Sequence, residues 1–416
     1  MASTWCQISA NDTRDSQNDY AQQIHLPLAY PRTKVQMRDP IPGPILLFGS
    51  GETSPSGRKA FDQALKKLPQ TPRIALLETP AGFELNSEAV ISRVAEFLQV
   101  NLQNYQPRTQ VIAARKRGTP FSPDAAEVVS PLLEADLIFM GPGSPTYAVR
   151  QLRDSLAWAM LIARHRLGAT LALASAATIA ISACALPVYE IYKVGEELHW
   201  KEGLNFFGLY GLNLVFIPHW NNQEGGSALD TSRCFMGQTR FARLMDMLPN
   251  ETTVVGLDEN TALIIDPSSG SCQVIGAGAV TLLHTGHAHG AERAEPELGG
   301  SGLAEIAALR ASHVHQYQHK ESFPLAEIGP FRAYRPEANL PAEIWQQALQ
   351  VQQRLSENPP AQPPQEVMAL AARREEARQN KDWAASDELR QQIAALGWQV
   401  KDTKDGPQLS PVGQAG

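Results

Sequence analysis

The 416-residue sequence predicts an α/β fold: a mostly parallel sheet covered by helices on both faces, plus a small helical C-terminal module. Two observations predict the body. Short apolar runs alternate with amphipathic stretches over residues 43–285, and the strand candidates among them are mainly apolar. A strand buried on both faces reads that way, and helices packed on both faces bury it. A third observation predicts the module: residues 341–416 are charged, helical in spacing and split by the proline spacer SENPPAQPPQE, which favours an extended linker.

The elements follow in order. PILLFGSGE is an apolar run ending in glycines, and SGRKAFDQALKKL has helical spacing. RIALLETPA is a second strand, followed by the helix NSEAVISRVAEFLQV with Asn86 as its cap candidate. TQVIAAR, DAAEVVSPLLEA, DLIFMGPGS and TYAVRQLRDSLAWAMLIARHR continue the rhythm, and ATLALAS and LNLVFIPHW are further strands. TTVVGLDENTALIID and CQVIGAGAVTLL read as a closing pair. Four domains result: a polar leader (1–42), the sheet domain (43–285), an irregular and helical connector (286–364) with a short helix near 302–313, and the terminal module (365–416).

Bulk properties narrow the function. The formal net charge is -7, against a surface that coats nucleic acid generally. The four cysteines, Cys6, Cys184, Cys234 and Cys272, form no CxxC pair, so neither a zinc knuckle nor a disulfide framework is indicated and a reducing cytoplasm fits. The leader lacks an apolar signal core, and no stretch of about 18 apolar residues spans a bilayer, so no membrane partner is expected.

In open α/β sheets, ligands collect at the carboxyl ends of the strands. The loops GSGETS, GPGSPT, ASAA and PHWNNQEGG fall there. Ser175 lies in the small apolar run GATLALASAATIA. It is either a core serine bonded to a carbonyl or a nucleophile on a strand-to-helix turn, where the small neighbours Ala174, Ala176 and Ala177 relieve crowding. His219 ends another strand and is the candidate base if both strand ends share one sheet edge. Glu190 is the first candidate for the orienting acid, with Glu196 and Glu197 as alternatives. Backbone N–H groups of Gly143 and Ala176 are the candidate oxyanion donors. The histidines of HTGHAHG and HVHQYQH have spacing compatible with a metal, but no acidic cluster or cysteine completes a set. No metal or cofactor is expected.

These residues resemble the cyanophycinase and dipeptidase E family of serine peptidases, which has the fold of class I glutamine amidotransferases. LLFGSGE, ADLIFMGPGSPTYAVRQL, LASAA, IPHW, TRFARLMDML and the pair GLDENTALII and QVIGAGAV carry the similarity, over residues 43–283. The last pair includes an Asp-Glu turn at Asp258 and Glu259. The resemblance implies metal-free hydrolysis of a peptide or amide through an acyl-enzyme, by Ser175, His219 and an acid. Leu173 and Ala177 stand where the elbow normally has glycines, and Ser144 and Pro145 follow Gly143 where an asparagine is common. A catalytically silent binding protein is therefore the alternative, and an amide-handling enzyme that is not a peptidase is a second.

The tail REEARQNKDWAASDELRQQIAALGWQVKDTKDGPQLSP resembles the C-terminal end of cysteinyl-tRNA synthetase. The matched positions are Arg374, Ala377, Arg378, Lys381, Asp382, Trp383, Asp387, Arg390, Leu396, Gly397, Asp402, Thr403 and Gly406. The spacing predicts a helical hairpin, 365–379 and 383–396, ended by Gly397. Arg373, Arg374, Arg378, Lys381 and Arg390 are candidate phosphate contacts, and the resemblance implies tRNA or a protein as partner. Interleaved Glu375, Glu376, Asp382, Asp387 and Glu388 give the other reading, a solvated charged face. The synthetase's nucleotide-binding signatures and zinc cysteines are absent from the sequence, which excludes aminoacylation.

Overall fold

A computed structural model describes residues 40–285, 311–332, 335–357, 364–403 and 406–411. The leader up to residue 39 and the His-bearing stretch 286–290 lie outside the described residues.

The chain opens with β1 (Ile45–Phe48) and α1 (Pro55–Leu65), whose N-cap Ser54 accepts a bond from Gly57 N. β2 (Arg73–Leu77), α2 (Ser87–Asn101) and β3 (Arg108–Ile112) follow. Asn86 takes the N-cap position of α2 but makes no side-chain capping bond. A short turn of helix, α3 (Ala126–Val129), leads to β4 (Leu137–Met140). The stretch 146–166, read as one helix, is two: α4 (Pro145–Leu152) and α5 (Leu156–Arg166). Asp154 breaks them with φ 54°, and Ser155 caps the second by accepting from Trp158 N.

β5 (Thr170–Ala174) is buried at every position and runs straight into α6 (Ala176–Ala180). The short strands β6 (Cys184–Ala185) and β7 (Lys201–Glu202) pair with each other. β8 (Leu214–Ile217), α7 (Gly237–Asp246), β9 (Thr253–Leu257), β10 (Thr261–Asp266), β11 (Ser271–Gly276) and β12 (Val280–Thr285) follow. The segment read as an irregular connector contributes edge strands β13 (Ala311–Tyr317) and β14 (Ser322–Pro324). The helix expected near 302–313 is therefore strand from Ala311 onward, where pairing with β12 overrides local spacing; 302–310 lie outside the described residues.

The body has two main sheets. The larger has strand order β14-β11-β10-β1-β5-β4-β2-β3, with β1, β5, β4, β2 and β3 parallel. The smaller has order β13-β12-β9-β8. Successive side chains of a strand face opposite ways: Leu46 and Phe48 pack with Phe61 of α1 and Val94 of α2, while Ile45 and Leu47 join another core. That second core also takes Phe216, Val255, Leu257 and Leu282 of the smaller sheet, so buried hydrocarbon clamps the two sheets together.

The closing pair differs from its sequence reading. Each of its runs breaks in the middle and changes sheet: β9 lies in the smaller sheet and β10 in the larger, and likewise β12 and β11. The crossing is a corner at Asp258–Asn260. Asp258 N donates to Ala279 O at 3.1 Å, and Ala279 N donates to the Asp258 carboxylate at 2.8 Å. A Cβ on Gly278 would lie 2.5 Å from Asp258 Cβ, so only glycine lets these strands come so close.

The C-terminal segment forms a separate small core of Val367, Leu370, Ala371, Leu389, Ile393, Trp398 and Val400. Its hairpin comprises Gln365–Gln379 and Trp383–Ala395, and Asp382 caps the second helix by accepting from Ala385 N at 3.1 Å. Gly397, at φ 78°, ends that helix. The strands Trp398–Thr403 and Gly406–Pro411 complete the module as an antiparallel pair. Among the described residues, no helix is long and apolar enough to cross a membrane.

Candidate active site

Ser175 sits between β5 and α6 with φ 50° and ψ -108°. An L-residue held there carries about 1–3 kcal/mol of backbone strain, and the surroundings hold it in place. Ser175 N donates to Phe48 O at 3.3 Å, and Ile179 N donates to Ser175 O at 3.1 Å, which starts α6. The hydroxyl of Thr178 bonds Leu173 O at 2.8 Å, tying the helix back to the strand. The turn forms without elbow glycines because Leu173 and Ala177 point into the apolar core. Ser175 itself is half-buried rather than sealed in.

His219 follows β8, which lies in the smaller sheet and not, as the sequence reading had it, in the sheet of β5. The side chains still meet: Ser175 Oγ is 2.9 Å from His219 Nε2. Two contacts aim the imidazole. His219 N donates to Gly49 O at 3.1 Å, and Cys234 N donates to His219 O at 3.1 Å. Beside them, a Cβ on Gly256 would strike the Trp220 ring at 2.4 Å; glycine there leaves room for the indole that follows His219.

Glu190 does not orient this histidine. It opens the turn Glu190–Val194 and is held instead at the first turn of α4, where its carboxylate accepts from the Thr146 hydroxyl at 2.6 Å. Glu196 lies 3.6 Å from a different histidine, His199, and Glu197 meets the same ring only through its backbone carbonyl, at 2.8 Å. The carboxylate against His219 Nδ1 is Glu259, at 2.9 Å. It comes from the corner between β9 and β10. Asn222 Nδ2 donates to the same oxygen at 2.8 Å, and Glu259 N donates to Asn221 Oδ1 at 2.8 Å. The His219 bond, helped by Asn222, outweighs burial and holds the Glu259 carboxyl below its ordinary value. An acid in that place was visible as DEN, three polar residues interrupting the apolar run VVGL…TALII.

Gly143 and Ala176 occupy neighbouring strand ends. β4 pairs in parallel with β5, Met140 opposite Leu173, so the turn after β4 and Ser175 leave the sheet at the same edge. Ala176 holds the first helical position, where an N–H has no acceptor within its own helix. A Cβ on Gly143 would lie 2.0 Å from Pro80 O, so this turn requires glycine. An open cleft of about 870 Å³ begins at this turn, lined by Ser144, Thr146, Tyr147, Arg150, Lys116 and Glu190, among others.

Two further groups stand near the site. Burial raises the Glu52 carboxyl, against its own backbone bond and the charge of His219. Burial, with the Glu259 charge, pushes the Cys234 thiol up to about 12, which keeps it un-ionised and a poor nucleophile. Of the histidines weighed for a metal, His284 Nδ1 is 3.1 Å from Thr253 Oγ1, and His319 Nδ1 accepts from Gly276 N. Among the described residues, no group of three His, Cys, Asp or Glu side chains is placed to hold a metal.

In the tail, Arg374 is only 1% exposed and belongs to the module's interior, so it is not a surface contact. It lies on the same side of its helix as Val367, Leu370 and Ala371, which build the core. Arg373, Lys381 and Arg390 are exposed. Arg378 lies 5.6 Å over the ring of Trp383, which is itself 57% exposed.

Comparison with known proteins divides the chain the same way. The body has the fold of a peptidase from an acI-B1 Actinobacterium: TM-score 0.50, 21% identity, 69% of this chain and 98% of that one. Residues 362–408 match the family model described as the cysteinyl-tRNA ligase anticodon binding domain. The cysteine–tRNA ligase of Chlamydia pneumoniae is 51% identical over 49 residues, 12% of this chain and 10% of the ligase. That of Opitutus terrae is 53% identical over 53 residues, 13% and 12%. The chain thus spans about a tenth of the length of these curated relatives, and the match is confined to the tail.

Proposed function

We propose that the body is a serine hydrolase that cleaves a peptide or amide bond through an acyl-enzyme, a cyanophycinase-like activity on a class I glutamine amidotransferase-like fold. The observation that carries this reading is the unbroken hydrogen-bonded chain from Ser175 Oγ through both ring nitrogens of His219 to Glu259. Glu259 accepts a hydrogen bond from Nδ1–H, which leaves Nε2 as the acceptor facing the serine. Ser175 Oγ attacks the carbonyl carbon while Nε2 takes its proton. The N–H groups of Ala176 and Gly143 receive the oxyanion. As the C–N bond breaks, His219 returns the proton to the leaving amine. Water then repeats the cycle on the ester and frees Ser175. Glu259 holds the ring and balances its transient positive charge.

The tail reads best as an RNA contact. Exposed Trp383 offers a face on which an unpaired base stacks, and Arg378, Lys381 and Arg390 supply charge for phosphates. This fits the anticodon-binding family model matched at 362–408.

A burst of nitrophenol from a p-nitrophenyl ester, followed by a slower steady phase, tests the acyl-enzyme. Wild type gives a burst of about one equivalent, and Ser175→Ala gives none. A folded wild-type protein that turns over neither esters nor a panel of dipeptides supports a silent binding protein instead. Retardation of tRNA that weakens with salt tests the tail.

A further inference from the structure

Glu190 is a charged residue set at the cleft and unused by the triad. Its surroundings give it a task. Thr146 has one hydroxyl proton, and it goes to Glu190 Oε1 at 2.6 Å. Ser144 Oγ lies 3.1 Å from Thr146 Oγ1, so Ser144 must donate there. Ser144 Oγ in turn accepts from Tyr147 N at 3.2 Å, and Ser144 N donates to Pro80 O at 3.0 Å. The bonds therefore run one way, from Tyr147 N–H through Ser144 and Thr146 to the carboxylate, and each polarises the next. Ser144 is the residue after Gly143.

The chain also explains a costly feature. The other oxygen of Glu190, Oε2, is buried and has no hydrogen-bond partner among the described residues. A polar group left so is costly, and unsatisfied groups of this kind mark places where something other than stability is served. Burial alone would push the carboxyl up; the Thr146 bond and Lys201 bring it below its ordinary value instead. Glu190 therefore remains an acceptor at neutral pH.

We propose that Glu190 and Thr146 are positioning residues for the oxyanion hole: with Ser144 they form a strut that fixes the 141–145 turn and the aim of the Gly143 N–H. The inference rests on the serine-hydrolase reading. Neither residue touches the reacting atoms; their effect passes through the turn. Because Ser144, Thr146 and Glu190 all line the cleft, a substrate filling it bears directly on the strut.

Phosphonylation by a small alkyl fluorophosphonate tests this in the full-length protein. Ser175 Oγ bonds phosphorus, fluoride leaves, the serine proton passes to His219, and the phosphoryl oxygen enters the oxyanion hole. Saturation kinetics separate reagent affinity from the bond-forming rate. Thr146→Val and Glu190→Ala are each expected to slow bond formation about tenfold or more, with affinity and thermal midpoint unchanged. Thr146→Ser and Glu190→Gln preserve the donor and the Oε1 acceptor and are expected to react close to the wild-type rate. Wild-type rates in both Thr146→Val and Glu190→Ala would overturn the strut while leaving the hydrolase reading standing. A wild type that does not react would overturn the hydrolase reading, and the strut with it. If Thr146→Val fails to fold, Glu190→Ala, at the partly exposed end of the strut, decides alone.

Discussion

The body and the tail of this chain organise function in opposite ways. In the body, three side chains form one hydrogen-bonded row although Ser175 and His219 are 44 residues apart and His219 and Glu259 another 40. They come from two sheets and a corner. In the tail, the matched segment is contiguous, residues 362–408, and its features sit on one hairpin. Long-range packing makes the first site, whereas local helix chemistry makes the second. The body's site therefore depends on the whole fold, and the tail's surface depends on a core of seven residues.

Substitutions sharpen that contrast, and the largest expected effect belongs to the proposed nucleophile. Ser175→Ala is expected to lower turnover about 10⁶-fold, with tRNA affinity unchanged. Glu259→Gln follows, at about 10⁴-fold, because the amide no longer fixes the Nδ1 proton; Glu190→Gln should come nowhere near it. Equal losses in the two glutamine variants would erase the distinction between the acid of the triad and the strut. In the tail, Trp383→Ala is expected to weaken tRNA binding about tenfold, the effect of losing one stacked base. Small-ester turnover should not change, and gel retardation beside an ester assay checks both.

The smallest effect is on stability with pH. Asp266 bonds Lys67 Nζ at 2.8 Å and Ser268. Burial raises its carboxyl, but those partners bring it down to about 2, from an ordinary 3.8. Folding thus favours the ionised form, and its contribution is full above the ordinary value and fades as pH falls toward 2. Thermal midpoints of wild type and Asp266→Asn should therefore converge between pH 4 and pH 2. A constant gap would count against this pair.

The same contrast decides what the sequence revealed. β1, β4 and β5 were legible because they are almost wholly apolar and flanked by helical spacing, and the hairpin because its turn, caps and Gly397 are local. Ser175 and His219 stood out as polar residues closing apolar runs. The acid did not, since nothing local links Glu259 to His219. That link needs β9 and β10 to lie in different sheets, a consequence of the Asp258–Ala279 pairing and the room left by Gly278. Arg374 was misread for a related reason: it stands next to Arg373 and four residues before Arg378, among the tail's basic residues, and only the packed hairpin shows that it faces inward.

The most direct test of the central claim is mass spectrometry of the full chain after exposure to a fluorophosphonate. The account expects a single adduct on Ser175 in wild type, much slower labelling in Glu259→Gln, and none in Ser175→Ala. An unlabelled wild-type Ser175 in folded protein, or equal labelling at other serines, would contradict it.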